Sequence, residues 1–439
     1  MSALKELKSM MRSHACSRCG SCVGLSGGAI EMTDRERAYR PRVVGDLSEE
    51  RAAEILRVCP GVGFDFVDNT SHFYNVDYVG ETFFLGAHAR TSIGYATDDE
   101  VRSNGASGGI ISAVLIYLLE SGQIKGAVVS RMSATKPWLS EPFIATTRAE
   151  VMAAAMSKYC ITSVNEILPE IAAFEGELAF VGIPPQVQGI RLLQRENHPM
   201  VRNIKYIFGP FYGNTLHFSS IISFLRTYGE KDYRKIDKLY FRYGEWPGNM
   251  RVEMKSGRII ELKKFHANYL IPFHILRNSL YCIDLANEFT DISGGDAWAP
   301  VYEERGKGFS MVIARSKAGC RILQEMEQKK LLDLTDISPD ESIKMHSHGY
   351  DLKKRGAFIR MKLRRMHGGR VPQWGVRPPK ISVKRYLMEG IVSSVFLIMG
   401  TPLARWAVEK LPPKFIGGMF EKARTRWKKS THNIKRENL

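Results

Sequence analysis

Residues 103–132 read SNGASGGIISAVLIYLLESGQIKGAVVSRM. From Ile110 the apolar side chains recur at helical spacing, Ser121-Gly122 stops the run, and a β-branched stretch, 124–132, follows at once. A helix feeding a short strand is half of an α/β repeat, and the alternation recurs downstream. ELAFVGIPPQVQGIRLL (177–193) reads as strand, proline turn and helix, and NIKYIFGPFYG (203–213) as another buried strand. RVEMKSGRIIELKKF (251–265) reads as a hairpin around Ser256-Gly257. These segments predict an α/β (α+β) body with a mixed sheet over about residues 78–345. A chain of 439 residues is too long for one ordinary core. The flanks are therefore read as a small cysteine-bearing module at 1–66 and an extension at 350–439.

Hydrophobic content of 44% and charged content of 25% are globular values. The charge is unevenly spread. Residues 351–439 carry 22 Lys and Arg against five Asp and Glu, which accounts for the whole chain's net +17 and leaves residues 1–350 neutral. Seven cysteines, mostly clustered, behind an N-terminus without an apolar signal core point to a reducing cytoplasm rather than a disulfide framework.

HACSRCGSCVG (14–24) places Cys16, Cys19 and Cys22 two residues apart, and RVCPGVG (57–63) adds Cys59 followed by Pro60. C-x2-C-x2-C with a distant C-P is the pattern of ferredoxin-like [4Fe–4S] ligation, so these four are read as ligands of one cubane. Gly20 and Gly24 allow the backbone to approach its sulfides. Structural zinc is the rival, although zinc sites usually come as two separated C-x2-C pairs. In the opening stretch, Asn104, Gly105, Ser107, Gly108 and Gly109 precede the helix. There, exposed backbone N–H groups and the helix dipole suit a cofactor phosphate, and a plain N-cap is the alternative.

Several segments recur in one order: CSRCGSCVG, YRP, CPG, the Gly-rich turn, SKY (157–159), VGIPPQVQGIR, FRYGEWPGNMRV and DISGGDAW with GFSMVIARSKAG. In this the chain resembles, over about residues 12–320, the coenzyme F420 hydrogenase/dehydrogenase beta-subunit family. That family includes 7-hydroxymethyl chlorophyll a reductase, ferredoxin-dependent divinyl reductases and bacterial members associated with surface polysaccharide. The resemblance implies FAD and iron–sulfur cofactors, and electron or hydride transfer between a ferredoxin-like donor or partner subunit and an organic acceptor. It sets Asn104–Gly109 and Ser157-Lys158-Tyr159 near the flavin, with Lys158 offering positive charge. It makes Asp296 a candidate for a cofactor hydroxyl, and Trp246 and Trp298 candidates for a pocket wall; a turn-forming Asp and core aromatics are the plainer readings.

Members with a second cluster take its ligands from four cysteines in the body. Here Pro185, Tyr212 and Ser279 stand at three of those positions, leaving Cys282, so one cluster is expected. Cys160 and Cys320 read as small buried hydrophobes. The tail alternates cations with apolar residues, and the 14 positions 390–403 fall short of a bilayer span. Residues 351–439 are therefore read as a contact for an anionic membrane surface, with an arm packed on the body or another subunit as the alternative, and no nucleic acid is expected. The resulting expectation is a cytoplasmic FAD and iron–sulfur oxidoreductase, peripheral to the inner face of the cell membrane. A non-catalytic, membrane-docked scaffold is the competing reading.

Overall fold

The computed structural model describes residues 2–298, 302 and 307–431. Its centre is an eight-stranded mixed sheet. In spatial order the strands are β13 (Leu332–Asp336), β3 (Arg90–Ala96), β12 (Ser310–Ala314), β11 (Ile292–Asp296), β7 (Ile204–Pro210), β6 (Leu178–Val181), β4 (Gly126–Met132) and β5 (Ser140–Ala145). The middle four, β11, β7, β6 and β4, are parallel to one another, and the outer strands on each side are antiparallel. The central strands bury both faces, as their nearly continuous apolar sequences require. Val128, Phe180 and Ile207 point into one core, while Ala127, Val129, Ala179, Tyr206 and Phe208 point into the other.

The stretch 103–132 folds as read. Gly109 (φ 76°) caps the Ile110–Glu120 helix, Gly122 (φ 69°) ends it, and β4 follows. This helix and Lys317–Gln328 cover the second face of the sheet. The hairpin is also present: β9 (Asn249–Met254) turns at Gly257 into β10 (Ile259–Lys263), and β8 (Ile236–Tyr243) completes a separate three-stranded sheet.

The N-terminal segment carries helices Ala3–Arg12, Glu49–Arg57 and Phe66–Tyr74, with an antiparallel pair of β1 (Ile30–Thr33) and β2 (Arg40–Val43). Leu7, Met11, Leu25 and Ile55 share the first face's core with Phe180 and Val187, so this segment is packed directly on the body. Gly20 shows how closely. Its φ is 99°, and a Cβ there would meet the Glu166 amide nitrogen at 2.6 Å.

Part of the basic extension is core rather than surface. The Phe64 and Phe66 amides donate to the carbonyls of Gln373 and Trp374 at 2.7 and 2.9 Å, stitching the tail to the N-terminal segment. Lys353 and Lys354, in a π-helical turn at Leu352–Gly356, are fully buried. The Lys354 ammonium meets the Glu288 carboxylate and donates to the Tyr78 hydroxyl at 2.7 Å, with Phe66 and Phe83 rings 5.3 Å away. Burial pushes the Glu288 carboxyl above its ordinary range, and the ammonium opposes that. Removing one partner strands the other charge in the core. Glu288→Ala is therefore expected to cost about 3–5 kcal/mol in denaturant unfolding. A loss below about 1 kcal/mol would show the pair to be unimportant.

Candidate cofactor site

The four parallel strands end along one edge, and a cavity of about 420 Å³ opens there. Ser130, Gly182, Pro210 and Gly294 bring the strand ends to its wall. Crevices at the carboxyl ends of parallel strands are where open α/β sheets bind ligands, and the volume suits a cofactor-sized molecule. Leu115, Val129, Val151, Phe211, Phe241 and Met250 make the lining mainly apolar.

Among the predicted residues, Gly105, Ser107, Gly109 and Lys158 line this cavity. Asn104 and Gly108 stand behind it as supports. The Asn104 side chain donates to the Met152 carbonyl at 2.9 Å, and the Gly108 amide donates to Ser310 Oγ at 2.9 Å. Ser107 Oγ meets the same Ser310 hydroxyl at 2.7 Å. Gly109 offers no capping side chain, so the first amides of the Ile110–Glu120 helix face the cavity uncapped.

Lys158 is half-buried. Its Nζ donates to the carbonyls of Ala154, of Ala155 at 2.8 Å and of Met156 at 3.2 Å, just beyond the Arg148–Ala154 helix. No carboxylate pairs with it among the described residues, and burial pulls its pKa down to about 7. A half-buried cation beside uncapped helix amides is a donor set for an anion, so these residues fit a flavin phosphate or an electron-rich flavin edge.

Asp296 ends β11 outside this lining. Its carboxylate accepts from Arg242 Nη1 and Nη2 at 3.0 and 2.9 Å and from Trp246 Nε1 at 2.7 Å. Despite burial, Arg242 and then Lys264 hold its pKa down, to about 2. Asp296 thus clamps the three-stranded sheet onto β11. Trp246 and Trp298 pack on each other at 5.1 Å beside that clamp, also outside the lining.

Cys16, Cys19, Cys22 and Cys59 line a second, small cavity, walled otherwise by residues such as Leu7, Met10, Met11, Met32 and Ile55. Burial and then the neighbouring sulfurs raise the thiols of Cys22 and Cys59, the latter to about 12. An iron centre would supply positive charge among these sulfurs, and four cysteine ligands are the donor set such a centre takes. Among the described residues, no three His, Cys, Asp or Glu side chains converge on a single-ion position.

The two cavities adjoin, with Ser17 lining both. The cysteine loop is bolted there: the Asn165 amide donates to the Cys19 carbonyl (3.0 Å), Asn165 Nδ2 to Ser21 Oγ (2.9 Å) and Ser163 Oγ to the Arg18 carbonyl (2.9 Å). Arg35 binds Glu166 through both guanidinium nitrogens. Arg18, Arg40, Arg277, Arg364 and Arg405, whose charges act on His14 or His217, form no ion pair among the described residues. Burial and this field hold His217 near 4.

Tyr212 and Ser279, two of the residues expected in place of second-cluster ligands, bond to each other. The Tyr212 hydroxyl meets Ser279 Oγ at 2.7 Å, Lys353 Nζ donates to the Ser279 carbonyl at 3.0 Å, and the same ammonium lies 4.4 Å over the Tyr212 ring. Cys282 is buried beside them, its thiol raised to about 11 by burial, and Pro185 opens the Pro184–Arg195 helix. Cys160 lines the large cavity; Cys320 sits on the Lys317–Gln328 helix.

Two family models match the body of the chain. Residues 91–169 match the model for the coenzyme F420 hydrogenase/dehydrogenase beta subunit N-terminal part, and residues 176–340 the model for its C terminus. The coenzyme F420 hydrogenase beta subunit of Methanosarcina barkeri is 25% identical over 279 residues, covering 62% of this chain and 88% of that one. The coenzyme F420-dependent sulfite reductase of Methanocaldococcus jannaschii is 24% identical over 369 residues, covering 80% of this chain but 52% of the reductase. A chain of the F420-reducing [NiFe] hydrogenase complex from Methanosarcina barkeri shares the fold at a TM-score of 0.52 and 22% identity, covering 67% of this chain and 98% of that one. Fold and sequence thus agree, and the chain belongs to the coenzyme F420 hydrogenase/dehydrogenase beta-subunit family.

Proposed function

We propose that this chain is an iron–sulfur and FAD-dependent oxidoreductase subunit in which one [4Fe–4S] cluster, held by Cys16, Cys19, Cys22 and Cys59, exchanges electrons directly with a flavin in the adjoining cavity. The observation that carries this is the shared wall at Ser17, which lets one cluster serve without a relay. When bound, the cluster supplies one-electron transfer and FAD supplies paired-electron or hydride exchange with an organic acceptor. The chain's own residues do the rest. Lys158 and the turn Gly105–Gly109 hold anionic parts of the cofactor. Leu115, Val129, Phe241 and Met250 exclude water around the ring system. The unpaired arginines favour the more negative, reduced state of the cysteine centre and attract an acidic donor, a ferredoxin-like protein or a partner subunit. Two relatives named for F420 make a deazaflavin the first acceptor to test. The link to surface polysaccharide rests on the resemblance alone.

Anaerobic purification and reconstitution tests the reading. A flavin spectrum over a broad iron–sulfur band, about four irons per chain and bleaching by dithionite are expected. Colourless, flavin-free protein after reconstitution would favour the scaffold instead.

A further inference from the structure

The C-terminal helices show an apolar face that nothing among the described residues covers. Twelve of the twenty exposed large apolar side chains among the described residues fall within 383–419. Val383, Leu387, Ile391 and Val395 follow each other at intervals of four, one stripe along the Val383–Met399 helix, and Val383 is 76% and Leu387 68% exposed. Leu403, Trp406, Leu411, Phe415 and Met419 carry exposed apolar surface on through the Pro402–Val408 helix into Pro413–Thr431. A concentration of this kind marks an interaction surface rather than scattered surface apolars.

The opposite side of the Val383–Met399 helix fixes its orientation. Arg385 pairs with Asp351 at 2.9 Å and Glu389 at 2.7 Å, Glu389 pairs with Arg360 at 2.6 Å, and all four side chains are buried. Arg277 donates to the Phe396 carbonyl and Arg405 to the Phe273 carbonyl, each at 2.8 Å, so both helices are pinned to the body. No single helix among the described residues is long and apolar enough to cross a membrane, and the two helices meet at a bend of 80°. A spanning orientation would also carry Arg385 and Glu389 into hydrocarbon. The geometry suits lying in an interface.

Charge selects the occupant. Arg377, Lys380, Lys384, Lys410, Lys414 and Lys422 are exposed around the apolar face. The three acids of this stretch are already paired: Glu389 as above, Glu409 with Arg226 at 3.4 Å and Glu421 with His266 at 3.4 Å. A second copy would bring a second cationic face into the contact, whereas an anionic lipid surface complements it.

We propose that the face formed by residues 383–419 seats the protein on an anionic membrane surface, with Leu387, Ile391, Leu403 and Trp406 entering the headgroup boundary and the flanking lysines meeting lipid phosphates. This reading does not depend on the redox chemistry. The test is sedimentation of the full chain with vesicles of phosphatidylcholine alone or mixed with phosphatidylglycerol. Wild type is expected to pellet with the mixed vesicles, less so as salt rises. L387E/I391E/L403E, changed at exposed positions, is expected to stay in the supernatant with an unaltered melting curve. K384Q/K410Q/K414Q is expected to bind more weakly by about fivefold per lysine. Equal binding to neutral and anionic vesicles, no binding by wild type, or unchanged binding by the Glu variant would overturn it. So would a dimer in solution that the Glu variant dissociates without any vesicle binding, which would assign the face to a second copy.

Discussion

Serine in place of Cys59 is expected to reduce iron and acid-labile sulfide from about four of each per chain to near zero. Flavin stays bound, and flavin reduction by a low-potential electron donor slows on the order of a hundredfold or more. The reason is local. Cys59 sits in a turn just past the Glu49–Arg57 helix, where its carbonyl accepts from the Val62 and Gly63 amides, so the backbone does not depend on the sulfur. Serine keeps the volume and removes the soft ligand. Cys320→Ser, on the Lys317–Gln328 helix away from both cavities, is the control and should retain iron. Full iron retention in the Cys59 variant would remove this residue from the centre.

Lys158→Met is expected to weaken FAD binding roughly thirtyfold, from the loss of about 2 kcal/mol of charge-assisted hydrogen bonding. Its pH dependence is the sharper signature. In the ligand-free chain the ammonium titrates near 7, far below its ordinary value, because burial disfavours charge. An anion that needs the ammonium must then take up a proton on binding at higher pH. Wild-type affinity should fall by up to tenfold per unit above about pH 7, and the Met variant should be flat. The same depressed pKa makes the unfolded chain the stronger proton binder between about 7 and the ordinary lysine value. Ligand-free stability should therefore rise with pH across that window. If the Met variant melts early, the wild-type pH profile decides alone. A wild-type affinity independent of pH between 7 and 9 would show that Lys158 does not meet the cofactor.

Local pattern carried much of this structure. The helix and strand of 103–132, the hairpin at Gly257 and the grouping of Cys16, Cys19 and Cys22 follow from spacing within short windows, and Cys59 joins them through the C-P pattern. What spacing cannot show is pairing across the chain. Lys353 and Lys354 belong to a run of cations read as a membrane-surface contact, yet their partners lie 74 residues away at Ser279 and 66 away at Glu288. Asp296 reads as a candidate cofactor ligand or, more plainly, as a turn residue until Arg242, 54 positions upstream, is placed against it. The contact between the cysteine loop and the body was equally invisible. Its terms are Gly20 against Glu166 and Asn165 against Ser21, with no periodicity to mark them.

EPR of the anaerobically reconstituted, dithionite-reduced protein is the most direct test of the four-cysteine centre. A spin-half iron–sulfur signal integrating to about one per chain is expected. A silent spectrum, or zinc bound by the same four thiols, would contradict it.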